Sequence, residues 1–182
     1  MTWSPNGDWL VSADNNGMIK YWQSNMNNLK AFNGHNNDAI RDLSCVTFRF
    51  FFIIILFILI TKQLLTKHSR TRFAPSNNKF VSCADDGLVK IWDFSTTSEE
   101  RTLKGHGSEV KSAAWHPHKA LIVSGAKDNL VKLWDPKSGK NIHTLHSHKN
   151  AVLSTRWSPN GNWLATGSRD SLVCVCVCVC VA

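Results

Sequence analysis

A secretory leader, a disulfide framework and a hydrophobic run long enough to cross a bilayer are all missing from this 182-residue sequence. The N-terminus, MTWSPNGDWL, has no basic segment followed by an apolar one, so no export signal is read there. Of six cysteines, Cys174, Cys176, Cys178 and Cys180 crowd one terminal run and Cys45 flanks an apolar stretch. Only Cys83 is left for the body of the chain, which suits a reducing compartment. The unbroken apolar run Phe50 to Ile60 is 11 residues. A span needs about 20. Acidic residues are absent from 45–72, where Arg49, Lys62, Lys67, Arg70 and Arg72 supply five of the net eight positive charges. Elsewhere 16 bases face 13 acids, so charge alone does not point to a phosphate-rich partner.

Tryptophan is what the chain has in quantity, and its placement is periodic. TWSPNGDW from Thr2, RFAPSNNKF from Arg72, AWHPHKAL from Ala114 and RWSPNGNW from Arg156 share one pattern. Their prolines, Pro5, Pro75, Pro117 and Pro159, are spaced 70, 42 and 42 residues apart. A second aromatic follows the first by 19 residues at Trp22, Trp92 and Trp134, and the fourth place holds Cys176. A turn residue stands six before each, at Asn16, Asp86 and Asp128, with Asp170 continuing the series. A repeat of 42 residues is the organising unit.

The first spacing is longer by 28, and joining Ser44 to Phe73 restores the period. The surplus, 45–72, contains the whole apolar run. A core strand would keep the period, so this segment reads as foreign to the fold. Phe, Ile, Leu and Val codons share a middle U, which makes a retained intron or a gene-model error the preferred origin. SLVCVCVCVCVA at the C-terminus alternates as a strand does. It is also what a GT dinucleotide repeat encodes, and 173–182 is expected to be a low-complexity tail. A metal role for its cysteines has the wrong spacing, since alternate residues share one strand face and zinc sites use CxxC-type spacing.

Within a period, Val110–Trp115, Leu121–Ser124, Val131–Trp134 and Asn141–Leu145 read as short strands separated by HPHK, AKDN and DPKSG turns. Four antiparallel strands in such a period, with Gly-His and Trp-Asp signatures, resemble a WD40 propeller blade. Gly34-His35, Gly105-His106, Trp92-Asp93 and Trp134-Asp135 match the signatures, Ser147-His148 is a variant, and Trp22-Gln23 departs from them. The resemblance implies an all-β fold: a partial WD40 β-propeller of about three and a half blades out of seven, interrupted by a non-propeller insertion. Expected segments are 1–44 and 73–172 as blade parts, 45–72 as the insertion and 173–182 as the tail.

The family's structural tetrad falls on His106, Ser124, Asp128 and Trp134 in the third unit and on His35, Ser82, Asp86 and Trp92 in the second. The fourth has His148, Thr166 and Asp170 without a Trp, and the first has Ser12 and Trp22, with Asn16 in place of Asp and no His. A His–Asp–Ser set also suggests a hydrolase. Its recurrence with the period, and its link to Trp, favour a buried hydrogen-bond chain and no enzyme. His143, His146 and His148 are weighed as metal ligands and set aside, because His148 already serves the tetrad and no carboxylate or Cys completes a site.

YWQSNMNN, with Trp-Gln for Trp-Asp, and the long stretch Ser98–Asn150 are similar to the WD40 subunits of the cleavage and polyadenylation specificity factor. The similarity extends over 1–44 and 73–173. It implies a non-catalytic scaffold in the nucleus, without cofactor and away from membranes. The implied partners are a large propeller scaffold, a CCCH zinc-finger subunit and, through the complex, pre-mRNA carrying AAUAAA. In that family the RNA grip draws on a basic segment before the propeller and on its earliest blade. No residue here matches those positions, so none is assigned to RNA. The chain reads as a fragment that opens within the second blade and fades in the fifth. The competing expectation is a protein-binding propeller of the ubiquitin-ligase or signalling-adaptor kind.

Overall fold

Four antiparallel sheets, each a meander of neighbouring strands, make up the structure, a computed structural model that describes residues 1–4, 9–23, 27–45, 79–94 and 96–177. The first sheet runs β1 (Thr2–Trp3), β2 (Trp9–Ala13), β3 (Met18–Gln23), β4 (Asn28–Asn33), and the second β5 (Ile40–Cys45), β6 (Lys79–Ala84), β7 (Val89–Asp93), β8 (Ser98–Leu103). The third is β9 (Val110–Trp115), β10 (Ile122–Ala126), β11 (Val131–Trp134), β12 (Asn141–Leu145), and the fourth β13 (Val152–Trp157), β14 (Trp163–Ser168), β15 (Val173–Val177). Three of the four strands read for the third sheet have the observed bounds. The remaining one starts a residue later and continues to Ala126, because Gly125 and Ala126 still pair with β9 across a bulge.

Burial follows the pattern expected of stacked sheets. In the second and third sheets the middle strands are mostly buried, whereas β8 and β12 carry exposed polar residues. Such an edge, faced with Ser, Glu, Arg and Thr, discourages pairing with other chains. Sheets meet through apolar faces. Val11, Ile19 and Tyr21 of the first meet Ile40, Phe80 and Ala84 of the second. Val81, Val89 and Ile91 meet Val110 and Ile122, and Val123, Val131 and Leu133 meet Val152 and Leu164. Each fully buried side chain of this kind contributes about 1.5–3 kcal/mol.

One backbone position recurs with the period. Gly17, Gly87, Asn129 and Ser171 have φ of 73°, 77°, 68° and 66°, each one residue after the tetrad carboxylate position. The left-handed turn there is made for glycine, is tolerated by Asn, and costs Ser roughly 1–2 kcal/mol.

Two expected boundaries move. Cys45, placed at the start of the insertion, is the last residue of β5 and pairs with Phe80. It occupies the place that Phe73 would take by alignment, since Trp115 pairs with Ile122 one period later. The alternating Val-Cys run, assigned to a tail from 173, supplies the third strand of the fourth sheet, with Cys174 opposite Thr166 and Val175 opposite Ala165. Most of the insertion, including Phe50 to Ile60, lies outside the described residues. Among the described residues no helix is long and apolar enough to cross a membrane.

β5 and β6 pair in register from Asp42 to Cys45 although 33 positions separate Cys45 from Lys79 in the chain. At this joint the Trp115 indole N–H is buried without a partner among the described residues, while Trp157, one period on, donates to the Ala114 carbonyl at 3.3 Å. The carbonyl matching that of Ala114 belongs to Ser44, just before the insertion. Deleting 46–73 would leave six residues between Cys45 and Phe80, as between Trp115 and Ile122. We expect that deletion protein to unfold cooperatively at a temperature no lower than the full chain's; a non-cooperative melt would show that the segment is integral to the second sheet.

Candidate functional site

The tetrads are built where a loop crosses the end of the sheet that follows it. In the second sheet, His35 comes from the β4–β5 loop, Ser82 from β6, Asp86 from the β6–β7 turn and Trp92 from β7. Trp92 Nε1 donates to Ser82 Oγ at 2.8 Å, Ser82 Oγ lies 2.7 Å from His35 Nε2, and His35 Nδ1 lies 2.7 Å from Asp86 Oδ2. The third sheet repeats this with Trp134 to Ser124 at 2.8 Å, Ser124 to His106 at 2.7 Å and His106 to Asp128 at 2.9 Å. In the fourth, His148 joins Thr166 at 2.8 Å and Asp170 at 3.1 Å, and Thr166 also lies 3.4 Å from the Cys174 carbonyl. In the first, Trp22 reaches Ser12 at 2.8 Å, and Asn16 uses its backbone N–H on Asp14. In the second, third and fourth sheets these side chains lie within hydrogen-bond distance of one another, and in the first Trp22 and Ser12 do.

Donor rules set the protonation. An indole only donates, so the serine oxygen accepts from Trp and gives its own proton to Nε2. The imidazole proton then sits on Nδ1 and is donated to the carboxylate. The carboxylates also accept backbone N–H bonds, Asp128 from Gly107 and Leu130 and Asp170 from Lys149 and Leu172. Burial pushes His106 below the ordinary imidazole range, against the pull of Asp128. Burial would raise the Asp170 carboxyl, but the N–H groups of Lys149 and Leu172 and the His148 ring outweigh it and bring it to about 2. Asp128 is lowered in the same way. Ser82 and Ser124 are fully buried and bonded on both sides, which leaves neither oxygen open to a substrate. The close approach that seals the second tetrad needs Gly34: a Cβ there would lie 2.6 Å from Ile19 Cδ1 and 3.2 Å from Trp92 Cζ2.

Three links between sheets escaped the sequence reading. Asp85, beside the tetrad Asp86, takes a bidentate bond from Arg41 on its own sheet and a 2.9 Å bond from Lys111 on the next. The Arg41 bonds, aided by Lys111, hold its carboxyl below the usual range. Lys111 and Lys127 both reach Glu109, which extends the line of alternating charge. At the innermost strands, Asp42 accepts from Ser112 Oγ at 3.0 Å and Arg156 Nη1 at 3.1 Å, tying β5, β9 and β13 together. At the far end, buried His116 donates from Nε2 to the Gly161 carbonyl at 3.0 Å while Nδ1 accepts the N–H groups of His118 and Lys119. The only available signal was that Arg41 and Lys111 occupy matching repeat positions.

His143 and His146 are exposed, and His148 is held in its tetrad. Among the described residues no group of three His, Cys, Asp or Glu side chains is placed to hold a metal.

The sequence profile described as WD domain, G-beta repeat matches residues 1–23, 64–93, 97–135 and 139–176. The second match begins inside the expected insertion. Polyadenylation factor subunit 2 of Cryptococcus neoformans var. neoformans serotype D (strain JEC21) is 42% identical over 110 residues, 60% of this chain and 11% of its own length. The protein of that name from Candida albicans is 44% identical over 103 residues, 57% of this chain and 14% of its own. That from Neurospora crassa is 43% identical over 122 residues, 67% and 14%. This chain thus spans about a seventh or less of these relatives' length. Among solved structures, the WD40 β-propeller domain of Doa1 superposes with a TM-score of 0.68 at 26% identity, covering 92% of this chain and 46% of that one.

Trp134→Phe removes the donor that Ser124 accepts and leaves a buried hydroxyl short of a partner. The expected loss of unfolding free energy is roughly 1–3 kcal/mol. Denaturant melts agreeing within about 0.3 kcal/mol would contradict the bonding described. Stability should also fall with acid. The folded chain holds His106 neutral below the pH, about 6.5, at which an unfolded His takes a proton, so the unfolded state gains protons first. Asp170 acts alike between about 4, where unfolded carboxylates titrate, and about 2, and Asp128, also lowered, adds to the loss in the same direction. The urea midpoint should be flat from pH 8 to 7, decline below about 6.5 and drop faster below about 4. A midpoint that rises between pH 7 and 5 would mean that the native histidine favours the charged form.

Proposed function

This chain belongs to the WD40 repeat family, and on that premise we propose that it serves as a non-catalytic scaffold in nuclear pre-mRNA 3′-end cleavage and polyadenylation. The observation that carries the proposal is the 42–44% identity to proteins named Polyadenylation factor subunit 2 in three fungi. The buried tetrads support it from the structural side, because the His, Ser and Asp side chains that could serve a hydrolase are consumed in holding loops to sheets. The partners that fit are those of the cleavage and polyadenylation specificity factor: a large propeller scaffold, a CCCH zinc-finger subunit and, through them, the AAUAAA signal.

Within that assembly the residues present here act by holding protein, not by reading bases. Outside 45–72 the chain carries only three net positive charges, and several cations are already paired: Arg41 and Lys111 with Asp85, Lys79 with Glu100, Lys90 with Glu99, Arg156 with Asp42. A face built from what remains neutralises few phosphates.

Binding of the tagged chain to purified large-propeller and zinc-finger subunits tests the scaffold role; capture of neither would sink it and favour an adaptor of another pathway. For RNA, a filter-binding titration with AAUAAA and a scrambled hexamer at two salt concentrations should show weak, steeply salt-dependent binding that ignores sequence. Most of it should disappear on deletion of 45–72, since five bases leave with that segment. Clear preference for AAUAAA by the deletion protein would assign base reading to these sheets.

A further inference from the structure

The β7–β8 turn holds a residue in a backbone conformation that its side chain disfavours. Thr97 has a φ of 49°, in the left-handed region where a β-branched side chain is rare. Such a conformation persists when its surroundings fix it. Here the surrounding bonds come from two sheets. Thr97 Oγ1 donates to the Thr96 carbonyl at 2.8 Å, within its own turn. Lys30, on β4 of the first sheet, brings Nζ to 2.6 Å from the same Oγ1 and to 3.3 Å from the Thr97 carbonyl.

The charges around this contact are uneven. Lys79 and Lys90 of the second sheet pair with Glu100 and Glu99. Lys30 has no carboxylate partner among the described residues and rests on a hydroxyl and a carbonyl. The turn reads Thr96-Thr97-Ser98-Glu99-Glu100, so Thr97 is a half-buried hydroxyl with acids two and three positions after it. The next seam has the same reach without the same chemistry. Arg101 Nη1 lies 3.5 Å from the Ser138 carbonyl, but Ser138 is followed by Gly139 and Lys140.

We propose that Thr97 is a phosphorylation site and that Lys30 receives the phosphate across the seam between the first and second sheets. Acids just after a hydroxyl suit a protein kinase with a basic substrate groove, since charge pattern is one way such enzymes choose among similar hydroxyls. In the transfer, Oγ1 attacks the γ-phosphorus of a nucleoside triphosphate, the bond to the β-phosphate oxygen breaks, and the nucleoside diphosphate leaves. The hydroxyl proton passes to the kinase's carboxylate base. The product carries nearly two negative charges and three acceptor oxygens where one neutral hydroxyl stood. Lys30 then makes a charge-assisted bond to an anion, which fastens the outer edge of the first sheet to the second. Glu99 and Glu100 oppose the new charge, but each already has a lysine of its own. The proposal is independent of the role in 3′-end processing.

The test uses the full 182-residue chain, ATP and an acid-directed protein kinase. Trypsin releases 91–101 as one peptide, and its fragmentation in a mass spectrometer assigns the phosphate. The expected site is Thr97; Thr97→Ser keeps the phosphate and Thr97→Ala loses it. A peptide without phosphate, or with phosphate only on a neighbouring hydroxyl, overturns the proposal. Phosphorus NMR then follows the second ionisation of the phosphate, ordinarily at about 6. Lys30 should hold it lower, so Lys30→Ala should raise it by about half a unit. Equal titrations in the two proteins overturn the assignment of Lys30 as the receiving group. Far-UV circular dichroism of each variant checks folding, and Lys30→Gln replaces Lys30→Ala if the latter loses its strand signal.

Discussion

An indole nitrogen can give a proton and cannot take one, and the order of the structure descends from that restriction. Once Trp92 or Trp134 is buried, the neighbouring serine must accept, its proton must go to the imidazole, and the imidazole must donate to a carboxylate. A single direction runs through four side chains from a loop, two strands and a turn, and reversing any link would leave a buried group unpaired. The fourth sheet shows the rule by its absence. Cys176 stands where the tryptophan would be, and the Thr166 hydroxyl divides its one proton between His148 and the Cys174 carbonyl. The geometry persists there, but the donor that imposes direction is gone.

The tetrads make each sheet; other contacts make the arc. Apolar faces supply most of the cohesion between sheets, and polar bonds fix how the sheets sit. Asp42 gathers the innermost strands, Asp85 joins the second and third sheets near the tetrad turns, and His116 clasps the third to the fourth at the opposite rim. All three are charged or titratable groups at seams, positions where one sheet's residue must find a partner on another. Together they hold the four sheets at fixed separation.

What recurs was legible. The period, the strands of the third sheet and every tetrad residue follow from spacing and resemblance, because each of those features answers the same physical demand several times. The seam bonds do not recur. Asp85 has Lys127 at its matching position, with opposite charge, and His116 has Ser158, so comparing units hides them. The place of Cys45 was obscured for a related reason: a strand end is recognised by what it pairs with, and Phe80 lies far along the chain. The Val-Cys run was assigned to a tail on its unusual composition, yet composition does not decide pairing. Val and Cys are both small and apolar, and alternation suffices for a strand.

β15 illustrates how little information a strand can carry and still be placed. Shifting it by two residues against β14 returns Val to every Val position and Cys to every Cys position, so its side chains distinguish odd shifts from even ones and nothing finer. The finer choice is made upstream, where Asp170 binds the Leu172 N–H at 2.9 Å and Ser171 takes the left-handed turn. The strand is aligned the way a tape is aligned by its clamped end, with no marks along its length.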